Sequence, residues 1–146
     1  MAKKRVGDPW MPAAEYSRTL KGLSLNLLVA DIDASVAFAK TVLLADTVYV
    51  DPDFAVLTRD GASWILHADH TYDSHPLVGF VSGQEGRGAG AEFRVHDLDP
   101  DEAEQRAREA GYTVLAGAAD KGHGLRETYI LDPDSYCWVP DVPVSD

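Results

Sequence analysis

Apolar and polar positions along this chain alternate over short stretches, and the segments between two pairs of these stretches carry apolar residues at helical spacing. Leu23–Val29 reads as a strand, and Asp33 is placed to cap a helix whose apolar stripe is Val36, Ala39, Val42 and Leu43. Val48–Val50, Phe54–Thr58 and Ser63–Ala68 follow as short strands. They are divided by Asp51-Pro52-Asp53 and Arg59-Asp60-Gly61, both turn-forming sequences. The pattern then begins again. Ala91–His96 reads as a strand, and Asp99, Pro100, Asp101 and Glu102 form a helix start that suits the positive end of the helix dipole. Ala103, Ala107 and Ala110 lie on one face of that helix, and Gly111 suits its exit. Tyr112–Ala116, Arg126–Leu131 and Tyr136–Pro140 complete the set as strands, with Asp132-Pro133-Asp134-Ser135 as a tight turn.

The two runs share more than their order. Val29-Ala30-Asp31-Ile32-Asp33 recurs as Val95-His96-Asp97-Leu98-Asp99, and Asp60-Gly61-Ala62-Ser63-Trp64-Ile65 recurs as Asp134-Ser135-Tyr136-Cys137-Trp138-Val139. The first offset is 66 residues and the second 74, so about eight more residues separate helix from last strand in the second copy. Two matches in one order point to duplication of a strand–helix–three-strand unit. The expected organisation is an N-terminal arm over 1–22, with a short helix near Ala13–Leu20, and a single α+β domain over 23–140. Within the domain, module one covers about 23–81, a glycine-rich flexible linker 82–90, and module two 91–140; a tail follows over 141–146. The linker glycines lead into a strand rather than a helix, so they lack the helix N-terminus that a phosphate cradle uses.

Composition narrows the partners. Over 146 residues, 13 basic against 24 acidic side chains give a net charge of -11, a field that repels nucleic-acid backbones. No apolar run approaches the length of a membrane span, and Cys137 is the only cysteine, so no internal disulfide can form. A cytoplasmic protein binding neither nucleic acid nor membrane is the expectation.

Leu27-Leu28-Val29-Ala30-Asp31-Ile32-Asp33-Ala34-Ser35-Val36-Ala37-Phe38, the repeat itself, and Gly124-Leu125-Arg126-Glu127-Thr128-Tyr129-Ile130-Leu131-Asp132-Pro133-Asp134 resemble the vicinal oxygen chelate superfamily. This is the glyoxalase, bleomycin-resistance and extradiol dioxygenase group. The resemblance covers roughly 23–140 and implies two tandem βαβββ modules forming a cupped mixed sheet. Ala39 stands where the family often has tyrosine, Leu44 where it often has glycine, and Ser135 where its final turn usually has glycine. In metal-dependent members the ligands come from the first and last strands of each module. The resemblance carries those positions onto Ser24, Ile65, Gly90 and Val139, which together cannot replace the His, Gln and Glu side chains of such a site. No metal and no cofactor are therefore expected.

Strand alternation sets Asn26 with Ser24, His67 with Ile65, and Glu92 and Arg94 with Gly90. Lining a cup, Asn26, His67, Glu92 and Arg94 would supply polar contacts to a small organic ligand. Ile65, Val139, Leu28 and Phe54 would wall it, and Gly90 would leave room. The same residues also suit plain structural roles: an ion pair between Glu92 and Arg94, and a solvent-facing His67 at a strand end. The His- and Asp-rich run Leu66–His75 suits a loop or lid better than a zinc site, since its spacing matches no standard zinc pattern. Trp64 and Trp138, at equivalent repeat positions, are expected beneath the helices. Two functional classes follow. One is a metal-independent binding protein, with resistance or sequestration as its role. The other is a lyase, isomerase or dioxygenase that uses a displaced metal site or His67 and Glu92 as acid and base. Homodimers are common in the superfamily, and the arm, with Trp10, Met11, Tyr16 and Leu20, is a candidate interface element.

Overall fold

The computed structural model describes residues 3–72, 74–81, 83 and 86–145. Within the arm, helix α1 spans Ala13–Thr19. The first module then runs β1 (Asn26–Val29), α2 (Ile32–Val42), β2 (Asp46–Val50), β3 (Phe54–Arg59) and β4 (Ala62–Ala68), with a 3-10 turn at Asp69–Thr71 and a short helix α3 at Val78–Val81. The second runs β5 (Phe93–His96), α4 (Pro100–Glu109), β6 (Thr113–Asp120), β7 (Leu125–Leu131) and β8 (Cys137–Pro143). Each module closes on its own four-stranded sheet, ordered β1-β4-β3-β2 and β5-β8-β7-β6. In both, the strand before the helix pairs in parallel with the last strand, and the other pairings are antiparallel. The strand–helix–three-strand reading of each half therefore holds, and the fold class is α+β.

Local chemistry accounts for most boundaries. The Asp99 carboxylate accepts from the amides of Asp101 and Glu102 at 2.9 and 3.1 Å and caps α4, with Pro100 in its first turn. In α2 the cap is Asp31 rather than Asp33: its Oδ1 accepts from the Ala34 amide at 2.9 Å, and Asp33 already lies in the first turn. Asp60 and Gly61 hold φ of 46° and 79°, the paired left-handed conformation of a two-residue hairpin loop, and Arg59 pairs with Ala62 across it. Val36, Ala39, Val42 and Leu43 are buried, as their spacing requires. Trp64 and Trp138 are buried too, and the Trp138 indole donates to Asp132 at 3.0 Å.

Four expectations need correction. The segment 141–146 is not simply a tail, because β8 continues to Pro143, where β7 offers it partners at Glu127 and Leu125. β1 is shorter than Leu23–Val29, and β6 runs on to Asp120. Of the supposed flexible linker, Ser82, Gln84 and Glu85 lie outside the described residues, but Arg87 and Gly88 pack against the second module while Gly86, Ala89 and Gly90 are exposed. Arg87 is buried and bridges to Asp134, and a Cβ on Gly88 would meet the Tyr136 ring at 2.6 Å.

The two sheets differ in register. Val29 lies beside Ala68, while its repeat mate Val95 lies beside Pro140, a spacing of 72 rather than the 74 of the turn motif. A two-residue slip keeps every side chain on its face but moves it one pleat along the strand. Judged by pairing, the first-module counterpart of Val139 is His67, not Ile65.

Contacts divide the chain into two compact units. One holds the arm, the first half of α2 up to Val36, and Ala45–Gly83. The other holds Ala37–Leu44 and the chain beyond Gly83. In the second unit, Phe38 meets Tyr112 edge-on at 4.9 Å, and Arg106 donates to the carbonyls of Thr41 and Val42 at 3.0 Å each.

Candidate functional site

The first unit holds a half-open cavity of about 620 Å³ between its sheet and the arm. Period-two alternation brings Asn26 of β1, Ile65 and His67 of β4 and Phe54 of β3 onto one face, and the arm covers them with Pro9, Trp10, Met11 and Tyr16. Trp10 stacks on Tyr49 at 4.6 Å between centroids and lies nearly parallel to Phe54 at 6.4 Å. Tyr16 meets Phe54 edge-on at 5.7 Å. From Phe54 the aromatic series continues to His67 at 4.8 Å, Tyr72 at 5.4 Å and His75 at 4.5 Å. Such offset and edge contacts are favourable beyond the area they bury.

Two buried aspartates hold the arm down. Asp53 accepts from the amides of Lys4 and Arg5 at 2.7 and 3.1 Å and from His70 Nε2 at 2.7 Å. Burial pushes its pKa up, but the bond to His70 and the two amide bonds outweigh that and hold it below the ordinary value. Asp51 accepts from the amides of Asp53 and Phe54 and from the Tyr49 hydroxyl, and lies 3.5 Å from Arg5. The arm aromatics Trp10 and Tyr16, which the sequence offers as candidates for an interface, pack on the sheet of their own chain.

His67 Nδ1 and Asn26 Oδ1 are 2.7 Å apart. An amide oxygen only accepts, so Nδ1 carries the proton and donates. Burial, then the nearby His75, lower the His67 pKa against a smaller opposing effect of Asp51. The imidazole is therefore neutral at neutral pH.

The other residues singled out from the sequence lie in the second unit. Arg94 bonds Glu92 at 2.9 Å and Asp141 at 3.0 Å, and bonds Glu127 as well. Glu127 and Asp141 are each only 1% exposed. Tyr129 donates to Glu127, and His96 Nδ1 lies 2.7 Å from Asp141. Burial alone would raise the Glu127 pKa; Arg94 and Tyr129 bring it below the ordinary carboxylate value, and the same pairing raises that of Arg94. The Glu92–Arg94 pair is thus one edge of a larger network built around buried carboxylates. Val139 is fully buried in β8. Gly90 is exposed with φ 89°, a conformation any side chain would strain, so filling that position with a bulky residue does not isolate a ligand effect.

Of the positions onto which the resemblance carries metal ligands, one unit holds Ser24 and Ile65, with His67 in place of Ile65 by register, and the other holds Gly90 and Val139. The first set offers at most one imidazole and one hydroxyl and the second no side-chain donor, fewer than a transition-metal site uses. Among the described residues, no three His, Cys, Asp or Glu side chains form a group that could hold a metal ion. His67, His70 and His75 bond separately, to Asn26, Asp53 and the Leu77 amide. Asp73 of that segment lies outside the described residues.

Neither a family model nor a curated protein sequence matches the chain. Solved structures do. A glyoxalase-related enzyme from Fulvimarina pelagi superposes with a TM-score of 0.66 at 17% identity, covering 84% of this chain and 87% of that one. A glyoxalase/bleomycin resistance protein/dioxygenase family enzyme from Burkholderia phytofirmans PsJN gives 0.67 at 18% identity, covering 83% and 97%. TioX from Micromonospora sp. ML1 gives 0.61 at 20% identity, covering 86% and 98%. The chain has the glyoxalase/bleomycin resistance protein/dioxygenase fold. No helix among the described residues is long and apolar enough to cross a membrane.

Proposed function

We propose that this chain is a metal-independent binding protein that holds a small organic molecule in the arm-covered cavity, with sequestration or resistance as its role. The observation that carries the reading is the cavity itself: about 620 Å³, walled by Trp10, Tyr16, Phe54, Ile65 and Tyr72, with Asn26 and His67 as polar points. That volume and that balance of apolar wall to sparse polar groups are those of ligand pockets in general. The proposed contacts are Asn26, Phe54, Ile65 and His67, which line the cavity; Gly90, Glu92, Arg94 and Val139 do not line it. The bleomycin resistance name attached to a fold neighbour supports a sequestering role, and the donor-poor strand positions support metal independence.

A thermal-shift screen against aromatic antibiotics, quinones and 2-oxo compounds tests this, because a ligand of the native state raises its melting temperature. At least one aromatic compound is expected to raise Tm and to quench Trp10, with Trp10→Ala weakening it roughly tenfold. Stoichiometric metal in protein purified without added metal, removed by chelator together with an activity, overturns the proposal. A neutral imidazole at the cavity wall also supports the second reading, a lyase, isomerase or dioxygenase with His67 as acid–base group. Turnover of a bound compound that His67→Leu abolishes would select it.

A further inference from the structure

The polar capacity left in the cavity is uneven. Asp51 and Asp53 are already engaged by the Asp51–Phe54 turn, the arm and His70. Ser24, Tyr16 and Tyr72 bring hydroxyls, which give or take a hydrogen bond with equal ease, and Lys3, Arg5 and the Asn26 amide nitrogen bring donors only. His67 differs. Its Nδ1 proton is committed to Asn26 Oδ1, so its remaining polar atom, Nε2, presents a lone pair and no proton. The surroundings are rings: Phe54 at 4.8 Å and Tyr72 at 5.4 Å between centroids, both tilted against the imidazole.

We infer that His67 Nε2 accepts a hydrogen bond from the bound molecule, so that the cavity selects planar aromatic compounds carrying one hydroxyl or ring N–H donor. This rests on the cavity reading above and adds the chemical class of the ligand. The physical reason is the cost of closing an acceptor away from water unpaired, which a donor on the ligand removes and a methylated analogue of the same shape does not. The aromatic walls supply stacking and edge contacts that any planar ring satisfies. Affinity therefore comes from the rings and selectivity from Nε2.

The neutral state of His67 sets the pH behaviour. Its pKa lies below the ordinary 6.5, through burial first and His75 second. The preference for a donor is present above that pH. It fades as pH falls through the depressed value, because Nε2 then takes a proton and becomes a donor itself.

Calorimetric titration of the full chain with 1-naphthol against 1-methoxynaphthalene, and with indole against 1-methylindole, tests the inference. Each donor is expected to bind about tenfold more tightly than its methylated partner at neutral pH, the worth of one hydrogen bond in a closed site. His67→Leu should keep the affinity for the methylated compounds and bring each pair to within roughly twofold. Asn26→Asp, which holds the imidazole protonated, should do the same without altering the size of His67. The imidazole nitrogen NMR spectrum of the unaltered protein should show Nδ1 protonated and Nε2 bare. Equal affinities within each pair, a preference that survives both substitutions, or the opposite tautomer each overturn the inference and leave the cavity reading standing. Failure of all four compounds to bind up to their solubility limits overturns both.

Discussion

Leu44 and Ser135 hold left-handed backbone, with φ of 54° and 71°. These are the two positions where the resemblance to the superfamily leads one to expect glycine. A side chain in that conformation costs about 1 kcal/mol, because Cβ crowds the neighbouring carbonyl oxygen. Leu44→Gly and Ser135→Gly are each expected to stabilise the protein by about 0.5 kcal/mol, the relief being partly offset by glycine's larger loss of freedom on folding. Urea denaturation midpoints check this, and a lower midpoint for both would mean that their side chains hold more than the backbone strain costs. The Arg94 network works in the opposite sense. Arg94→Met leaves Glu127 and Asp141 buried without their guanidinium and is expected to cost about 3 kcal/mol. Adding Glu127→Gln to that variant should recover part of the loss, since it removes one of the stranded charges.

At the scale of elements, the arm is the part whose attachment can be switched. It is held by backbone amides on the Asp53 carboxylate and by Arg5 beside Asp51. Asp53 in the folded chain has a pKa below its ordinary 3.8, held there against burial by His70 and by the two arm amides, so the unfolded chain takes up its proton first as pH falls. The stability it contributes is at full strength above pH 3.8 and is lost as pH drops through the lower folded value, and the arm amides supply part of it. At neutral pH, Asp53→Ala is expected to release the arm, and the already exposed Arg18 and Lys21 then lie in backbone that opens more readily to trypsin, with cleavage at least several-fold faster than in the unaltered chain. Unchanged cleavage would show that the ring contacts of Trp10 and Tyr16 hold the arm alone. Removal of residues 1–20 should abolish binding in the cavity, since the arm forms one wall of it.

At the scale of the whole molecule, β2 leaves Val48 54% and Val50 37% exposed, and β6 leaves Leu115 64% exposed. Edge strands with uncovered apolar residues are surfaces that chains commonly cover by pairing with a second copy. A homodimer is the expected state at micromolar concentration, and light scattering should give twice 15.8 kDa. Val48→Lys on the β2 edge should return it to the monomer mass if that strand lies in the interface.

Much of this was written in local sequence. The alternation that forms β3 and β4, the Asp60-Gly61 hairpin, the Asp99 cap and the buried stripe of α2 depend on residues a few positions apart, and spacing alone reveals them. The two βαβββ modules follow from the repeat for the same reason. Distant pairings were not legible. The offset of the turn motif marks Ile65 as the partner of Val139, and only the hydrogen-bonded register puts His67 there. The aromatic run of the arm shows that it must cover apolar surface but not whose, and Asp53 appears in sequence as one more turn residue until its carboxylate meets the amides of Lys4 and Arg5, nearly fifty residues away. Glu127 and Asp141, two acidic residues in strands, become a buried pair only because Arg94 lies between them. Local propensity acts over one turn or one pleat, so it determined the elements. Which faces meet, and therefore where the cavity lies and which nitrogen of His67 is bare, rests on contacts between residues far apart in the chain, and those the tertiary structure alone decided.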